Sequence, residues 1–315
     1  MDIVGRRLWY FIVAVILAVV FIVALATLGI KSGVEFSSGS ILNITFDQPV
    51  AESALVQELN NLGYSNALIQ NDGKAVEAGK YLGYNIRINA SNLDEATKTQ
   101  VRNSLTTNLG TFKENEFDNI SPLIAAETTR NASIAVVVAI IAMLLYIAFA
   151  FRKMPSPFKY GVCAVAGLVW DILVCLGLYA IFGKLFSWQI DLMFIAGILA
   201  VLGYSINNTV IVFDRMRENL GKGVSRDVAV VANHSVFETL GRSFNTSITT
   251  LIGLFVLALF VGASIQNFVI VLIIGTISGT ITSTFLSPEL VVAWEKKEWG
   301  SPSGRTSLET AKVKS

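Results

Sequence analysis

Asp171, Tyr204, Ser205, Asn207, Asn208, Arg242, Thr249 and Thr250 are polar groups set in or at the ends of stretches otherwise apolar enough to cross a bilayer. Acyl chains solvate neither carboxylates nor amides, so groups at that depth face protein or a water-lined cavity. Asp171 falls at the middle of the apolar run 160–182. A carboxylate there is costly unless paired or protonated, so it is either a proton-binding pathway residue or a neutral acid bonded to a neighbouring helix. At helical spacing Tyr204, Ser205 and Asn208 share a face. Their strip, with Asn207 beside it, either lines a water path or joins helices at about 1 kcal/mol per bond. Arg242 leads into Ser243, Thr246, Ser247, Thr249 and Thr250. It cannot lose its charge, and it either meets a carboxylate or carbonyls inside the membrane or anchors a cytoplasmic helix end.

No nucleophile–base constellation, phosphate loop or metal cluster can be assembled elsewhere, so no catalytic residue, metal or cofactor is expected. Cys163 and Cys175 share one apolar run and read as small core residues. The single histidine, His234, reads as a surface residue. The glycine-rich element Gly33-Val34-Glu35-Phe36-Ser37-Ser38-Gly39 lacks the strand–loop–helix setting and the lysine of a nucleotide site.

These groups need a membrane-embedded scaffold, and composition supplies one. The chain is 53% hydrophobic and 15% charged, against about 25% charged in soluble domains. Its net charge of +1 gives no pull toward nucleic acid. Apolar runs at 8–30, 132–151, 160–182, 192–213, 246–261 and 265–285 predict six spans. The fifth run reaches only about 24 Å against a hydrocarbon core of about 30 Å, so its helix is expected to begin near Gly241 and draw Arg242 inward. Gly275 and Gly279 form a small-residue face suited to close helix packing.

Arginine and lysine crowd the segments that lie on one side: Arg6 and Arg7; Arg152, Lys153 and Lys159; Arg215, Arg217, Lys222, Arg226 and Arg242; then Lys296, Lys297, Arg305, Lys312 and Lys314. The short outer loops hold only Lys184. The positive-inside rule therefore puts both termini in the cytoplasm. The first run is too long for a signal peptide and reads as a retained anchor.

Four regions follow. Residues 1–30 are a short terminus and the first span. Residues 31–131 form an extracytoplasmic α+β domain without cysteine. Strands are expected at 40–46, 67–70, 82–88 and 117–120, with helices at 49–62 and 93–109 and a turn at 71–73. That β-α-β-β-α-β order is the ferredoxin-like arrangement. Residues 132–287 carry the remaining spans, with a cytoplasmic connection at 214–240 whose segment 224–240 reads as an amphipathic surface helix. Residues 288–315 are a cytoplasmic tail.

Several motifs carry a family likeness. Gly203-Tyr204-Ser205-Ile206-Asn207 continues to Asp214-Arg215-Met216-Arg217-Glu218-Asn219. Gly33, Glu35, Phe36 and Gly39 follow the first span, Asp171 lies in the third, and Arg242 leads into Thr249-Thr250. In order, spacing and topology over nearly all of 6–288 the chain resembles the SecF family of protein-export subunits, half-units of the resistance-nodulation-division type. The resemblance implies a SecD-like partner, a SecYEG channel, exported polypeptide as cargo and a lipid bilayer as setting, with no nucleic acid. It also implies that proton flow through the membrane domain moves the extracytoplasmic domains.

Two departures stand out. The family pattern Gly-Tyr-Ser-apolar-Asn-Asp ends in a proton-carrying aspartate partnered by the arginine matching Arg242, and here that position is Asn208. The pattern Gly-x-Asp-Phe-x-Gly-Gly keeps its charge as Glu35 but loses one glycine. Titration in this half then falls to Asp171 or to a carboxylate of the partner. A small-molecule or lipid exporter of the same superfamily, and a static scaffold, are the alternative readings.

Overall fold

The computed structural model describes residues 4–296 apart from 66, 72–74, 78, 89–94, 153, 155, 187 and 262. The tail beyond 296, Lys153, most of the turn expected at 71–73 and the first residues of the helix expected from 93 lie outside the described residues.

In chain order, α1 (Arg7–Leu28) is the first span and α2 (Val34–Ser37) a single turn beyond it. The outer domain then runs β1 (Gly39–Ala51), α3 (Glu52–Asn61), β2 (Leu68–Asn71), β3 (Ala75–Glu77), β4 (Lys80–Ile88), α4 (Glu95–Leu109) and β5 (Phe112–Ile120). Its strands pair antiparallel in the order β2-β4-β1-β5, with β3 a short addition on β4. This is the expected ferredoxin-like domain with one extra strand. Ile44, Leu55, Leu59, Ile86 and Leu105 fill its core, each worth about 2 kcal/mol when fully buried. Pro49 does not start a helix: β1 runs through it to Ala51. The β1–β4 register shifts between Thr45 and Val50, and a residue without an N–H is tolerated at such an irregularity.

The other spans are α5 (Pro122–Ala150), α6 (Pro157–Phe186), α7 (Leu192–Gly221), α8 (Val228–Phe260) and α9 (Ala263–Phe285), followed by the short α10 (Ser287–Glu295). Among the described residues six helices are long and apolar enough to cross a membrane. Local chemistry sets their starts. Ser121 caps α5 from ahead of Pro122, so that helix begins well before the apolar run at 132. Asp191 caps α7 and Asp227 caps α8.

The segment expected as a separate surface helix is instead the first half of α8. No breaker but Gly241 lies at the join, and the buried positions Ser235, Thr239, Ser243 and Ser247 continue across it at four-residue spacing. The outer domain is joined to the bundle by main chain as well as side chains. Gly33 donates to the Ile190 carbonyl at 2.7 Å and Ile190 donates to the Lys31 carbonyl at 2.9 Å.

Candidate intramembrane polar site

Small residues let α6, α7 and α9 close together. A Cβ on Gly275 would overlap the Val201 side chain, and one on Gly279 would stand 2.9 Å from the Ser205 Cβ. Gly167 on α6 faces Thr282, whose methyl lies 2.9 Å from where a Gly167 Cβ would be. Interaxial separations this short bring the hydroxyls of two helices onto the carboxylate of the third.

Asp171 is 0% exposed. Ser205 donates to its Oδ2 at 2.5 Å, and Ser278 and Thr282 donate to Oδ1 at 2.5 and 2.7 Å. No cation reaches it among the described residues. Three hydroxyls can stabilise either protonation state, since each can donate to a carboxylate or accept from a carboxylic acid. Sequence spacing puts Ser278 only on the packing face 275–279 and offers no signal for Thr282.

A second polar level lies beside the first. Tyr204 donates to Ser247 Oγ at 2.8 Å, and Ser247 meets Thr280 at 2.6 Å. Asn208 is wholly buried, and neither its amide nitrogen nor its oxygen has a hydrogen-bond partner among the described residues. The expected strip of Tyr204, Ser205 and Asn208 therefore does face the interior.

Other expected members do not. Asn207 points outward and is exposed. Arg242 is exposed and makes no side-chain hydrogen bond or ion pair among the described residues. Thr249 and Thr250 return their hydroxyls to their own helix, to Asn245 and Thr246 carbonyls. The reason is rotational: only Ser243 and Ser247 of this part of α8 turn inward, which carries Arg242 and Thr249 to the opposite flank.

The motif at the end of α7 is a clamp. Arg215 grips Glu238 through Nε at 2.7 Å and Nη2 at 2.6 Å and also pairs with Glu218. Asn219 donates to Ser235 at 3.0 Å and to Glu238 at 2.7 Å, and Arg217 pairs with Asp214 at 2.5 Å. The contacts of Arg215 and Asn219 with Glu238 and Ser235 hold α7 to the first half of α8. His234 is half exposed, 3.4 Å from Glu238. Cys163 and Cys175 are buried and unpaired.

At the other end of α7 lies a network that sequence spacing could not show. Arg87 of β4 donates to Gln189 at 2.9 Å and to Asp191 at 3.2 Å, with both members of the ion pair buried. Asn267 of α9 donates to the same Asp191 oxygen at 2.6 Å, and Tyr179 of α6 donates to the Asn267 carbonyl at 3.1 Å. Glu35 sits at its rim, one carboxyl oxygen buried without a hydrogen-bond partner among the described residues. Burial pushes its carboxyl up from the ordinary 4.5, against the pull of the Arg87 guanidinium. The Gly33 to Gly39 element is thus an interdomain joint. Among the described residues no three His, Cys, Asp or Glu side chains gather as metal ligands.

The family described as protein export membrane protein SecD/SecF, C-terminal, matches residues 100–297. The protein translocase subunit SecF of Thermobaculum terrenum is 33% identical, covering 98% of this chain and 99% of its own. That of Anaerolinea thermophila is 32% identical, covering 95% and 96%. The crystal structure of SecDF, a translocon-associated membrane protein from Thermus thermophilus, superposes with a TM-score of 0.80 at 25% identity, covering 94% of this chain. The present chain spans only 39% of that one.

Proposed function

The chain belongs to the SecD/SecF protein-export family, and on that footing we propose that it is the SecF-type half of a unit that assists polypeptide export. It works with a SecD-like subunit beside a SecYEG channel, both termini in the cytoplasm, and proton flow through its membrane core drives movement of its outer domain. It forms and breaks no covalent bond in its cargo.

One observation carries this reading: among the described residues a fully buried carboxylate at mid-span meets only hydroxyls. Ionised, Asp171 accepts from all three; protonated, it becomes a donor, and one hydroxyl must turn to accept. The donors belong to α7 and α9 and the carboxylate to α6, so each change of protonation alters how three helices fit. Helix α7 is capped by Asp191, which holds Arg87 of the outer sheet. A shift of α7 thereby reaches the outer domain through a buried ion pair.

The exposed polar groups suit an interface with the partner. Asn207 on α7 and Arg242, Asn245 and Thr249 on α8 are exposed at depths where lipid solvates them poorly. Arg242 suits a carboxylate from the SecD-like half. An apolar cavity of about 490 Å³ between α2, α5, α6 and α7, lined by Phe36, Val136, Ile172 and Ile195, is the feature favouring a lipid or small-molecule exporter.

The test is Asp171→Asn in vesicles containing the chain, its partner and the channel. Proton-dependent export is expected to vanish while assembly and co-purification persist. Export at the unaltered rate with Asp171→Asn would refute the proposal, and lipid efflux without any effect on export would favour the exporter.

A further inference from the structure

Tyr204, Ser247 and Thr280 mark one level across α7, α8 and α9. One turn nearer the Asn219 end, the helix directions put Asn208, Ser243 and Thr284 at a common level, four residues on along α7 and α9 and four back along the antiparallel α8. Contacts on either side fix this register. Asn219 meets Ser235 farther along the α7–α8 pair, and Ser205 abuts Gly279 on the α7–α9 pair.

Asn208, Ser243 and Thr284 are 0%, 1% and 2% exposed. Both amide atoms of Asn208 and both hydroxyls lack a hydrogen-bond partner among the described residues. Nearby hydroxyls behave otherwise: Thr246, Ser247 and Thr280 donate to the carbonyl four residues back. Ser243 and Thr284 decline that local bond. A buried polar atom left unpaired costs about 1–3 kcal/mol, and native interiors meet that cost with ordered water held by two to four such groups.

Angle places Asn208 between the two polar levels. At 100° per residue its side chain projects about 40° from Tyr204 and about 60° from Ser205, the residue bonded to Asp171. Ser287 extends the series: its buried, unpartnered hydroxyl stands 2.6 Å from where a Gly167 Cβ would be, and Gly167 lies one turn from Asp171 on α6.

We infer that Asn208, Ser243 and Thr284 form a binding site for a small cluster of ordered water, and that this water links Asp171 to the cytoplasmic half of the bundle. The inference rests on Asp171 as the proton-binding group. The carboxylic O–H of Asp171 breaks, a water oxygen takes the proton as hydronium, and a proton passes on toward Ser287, leaving Asp171 ionised with its three donors. An amide does not titrate, so Asn208 serves by orienting the water and is a positioning residue.

Proton uptake is measured with a pH-sensitive dye in vesicles holding the full chain and its partner subunit. Ser243→Ala with Thr284→Val, and separately Asn208→Leu, delete no protein–protein hydrogen bond. Each is expected to slow uptake about tenfold, the effect of one lost hydrogen bond on a barrier, with melting temperature not lowered. Asn208→Asp is expected to restore or exceed the original rate. Buried-water bands in the infrared difference spectrum, identified by their shift in H2(18)O, should disappear in the slowed variants. Unchanged uptake in both variants, with Asp171→Asn still inactive, would overturn the water site and leave the Asp171 reading intact. Unchanged uptake in Asp171→Asn overturns both. If the variants fail to assemble, the intact chain decides, since a spectrum without buried-water bands overturns the site.

Discussion

Ser38 holds φ 64° and ψ 156°, a region that costs a residue with a Cβ about 1–3 kcal/mol. It stands where the family pattern carries a glycine, so Ser38→Gly is expected to raise the stability of the joint by about 1 kcal/mol, read as a higher melting temperature. Its neighbour Glu35 makes that joint sensitive to pH. Because burial raises its carboxyl above the ordinary 4.5, the folded joint holds the proton more tightly than the unfolded chain does. The resulting stability is complete below the ordinary carboxylate range and fades as pH rises through the raised value. Melting curves between acid and neutral pH should show this slope, and Glu35→Gln should flatten it. Sequence alone singled out Asp171, since one acid in a long apolar run is conspicuous. Its partners Ser278 and Thr282 were not visible, because a hydroxyl in a span usually bonds its own helix and only packing shows which ones turn away. Arg242 is exposed on the single chain, a direction the sequence could not give for a related reason: hydropathy gives the depth of a residue but not the side to which it points.

Helix α7 joins the three parts of the proposed mechanism. Its N-cap Asp191 holds the outer domain, its middle carries Ser205 and Asn208, and its last turns clamp α8 through Arg215 and Asn219. The fit of α9 against it depends on Gly275, where an added methyl overlaps Val201. Gly275→Ala is therefore expected to cost about 1–3 kcal/mol and to slow proton uptake by drawing Ser278 away from Asp171. The outer link is separable from that core. Arg87→Met leaves Asp191 buried without its cation and should cost about 3 kcal/mol in thermal stability. With proton uptake retained, export should fall, and export unaffected by this change would exclude α7 as the connection. Element types were largely legible: six apolar runs and the alternation of Ile44 and Phe46 with polar residues are strong periodic signals. Boundaries were less so. Ser121 and Pro122 start α5 in polar sequence, and α8 passes through Gly241 because packing on α7 outweighs the weak helix preference of one glycine.

At the scale of the whole molecule, the uncovered surface of the bundle is what the proposed partner would meet. Spans α5 and α8 are largely uncovered, and Asn207, Arg242 and Asn245 are exposed along a flank that lipid serves badly. The face suits a second bundle, and a carboxylate there would satisfy Arg242. Arg242→Ala and removal of that carboxylate should then be equally damaging, and the double change no worse than either; additive losses would exclude a shared pair. The partner interface and the Arg87–Asp191 link were beyond sequence reading, since contacts separated by 104 positions or lying in another chain leave no local pattern. The central claim is that Asp171 gains and loses a proton inside this bundle. Infrared difference spectra of the assembled complex under an imposed pH gradient test it most directly. A carboxylic C=O band that grows as the outer medium is acidified, and is missing in Asp171→Asn, is the expected result. Identical spectra for the native chain and Asp171→Asn at every pH would contradict it.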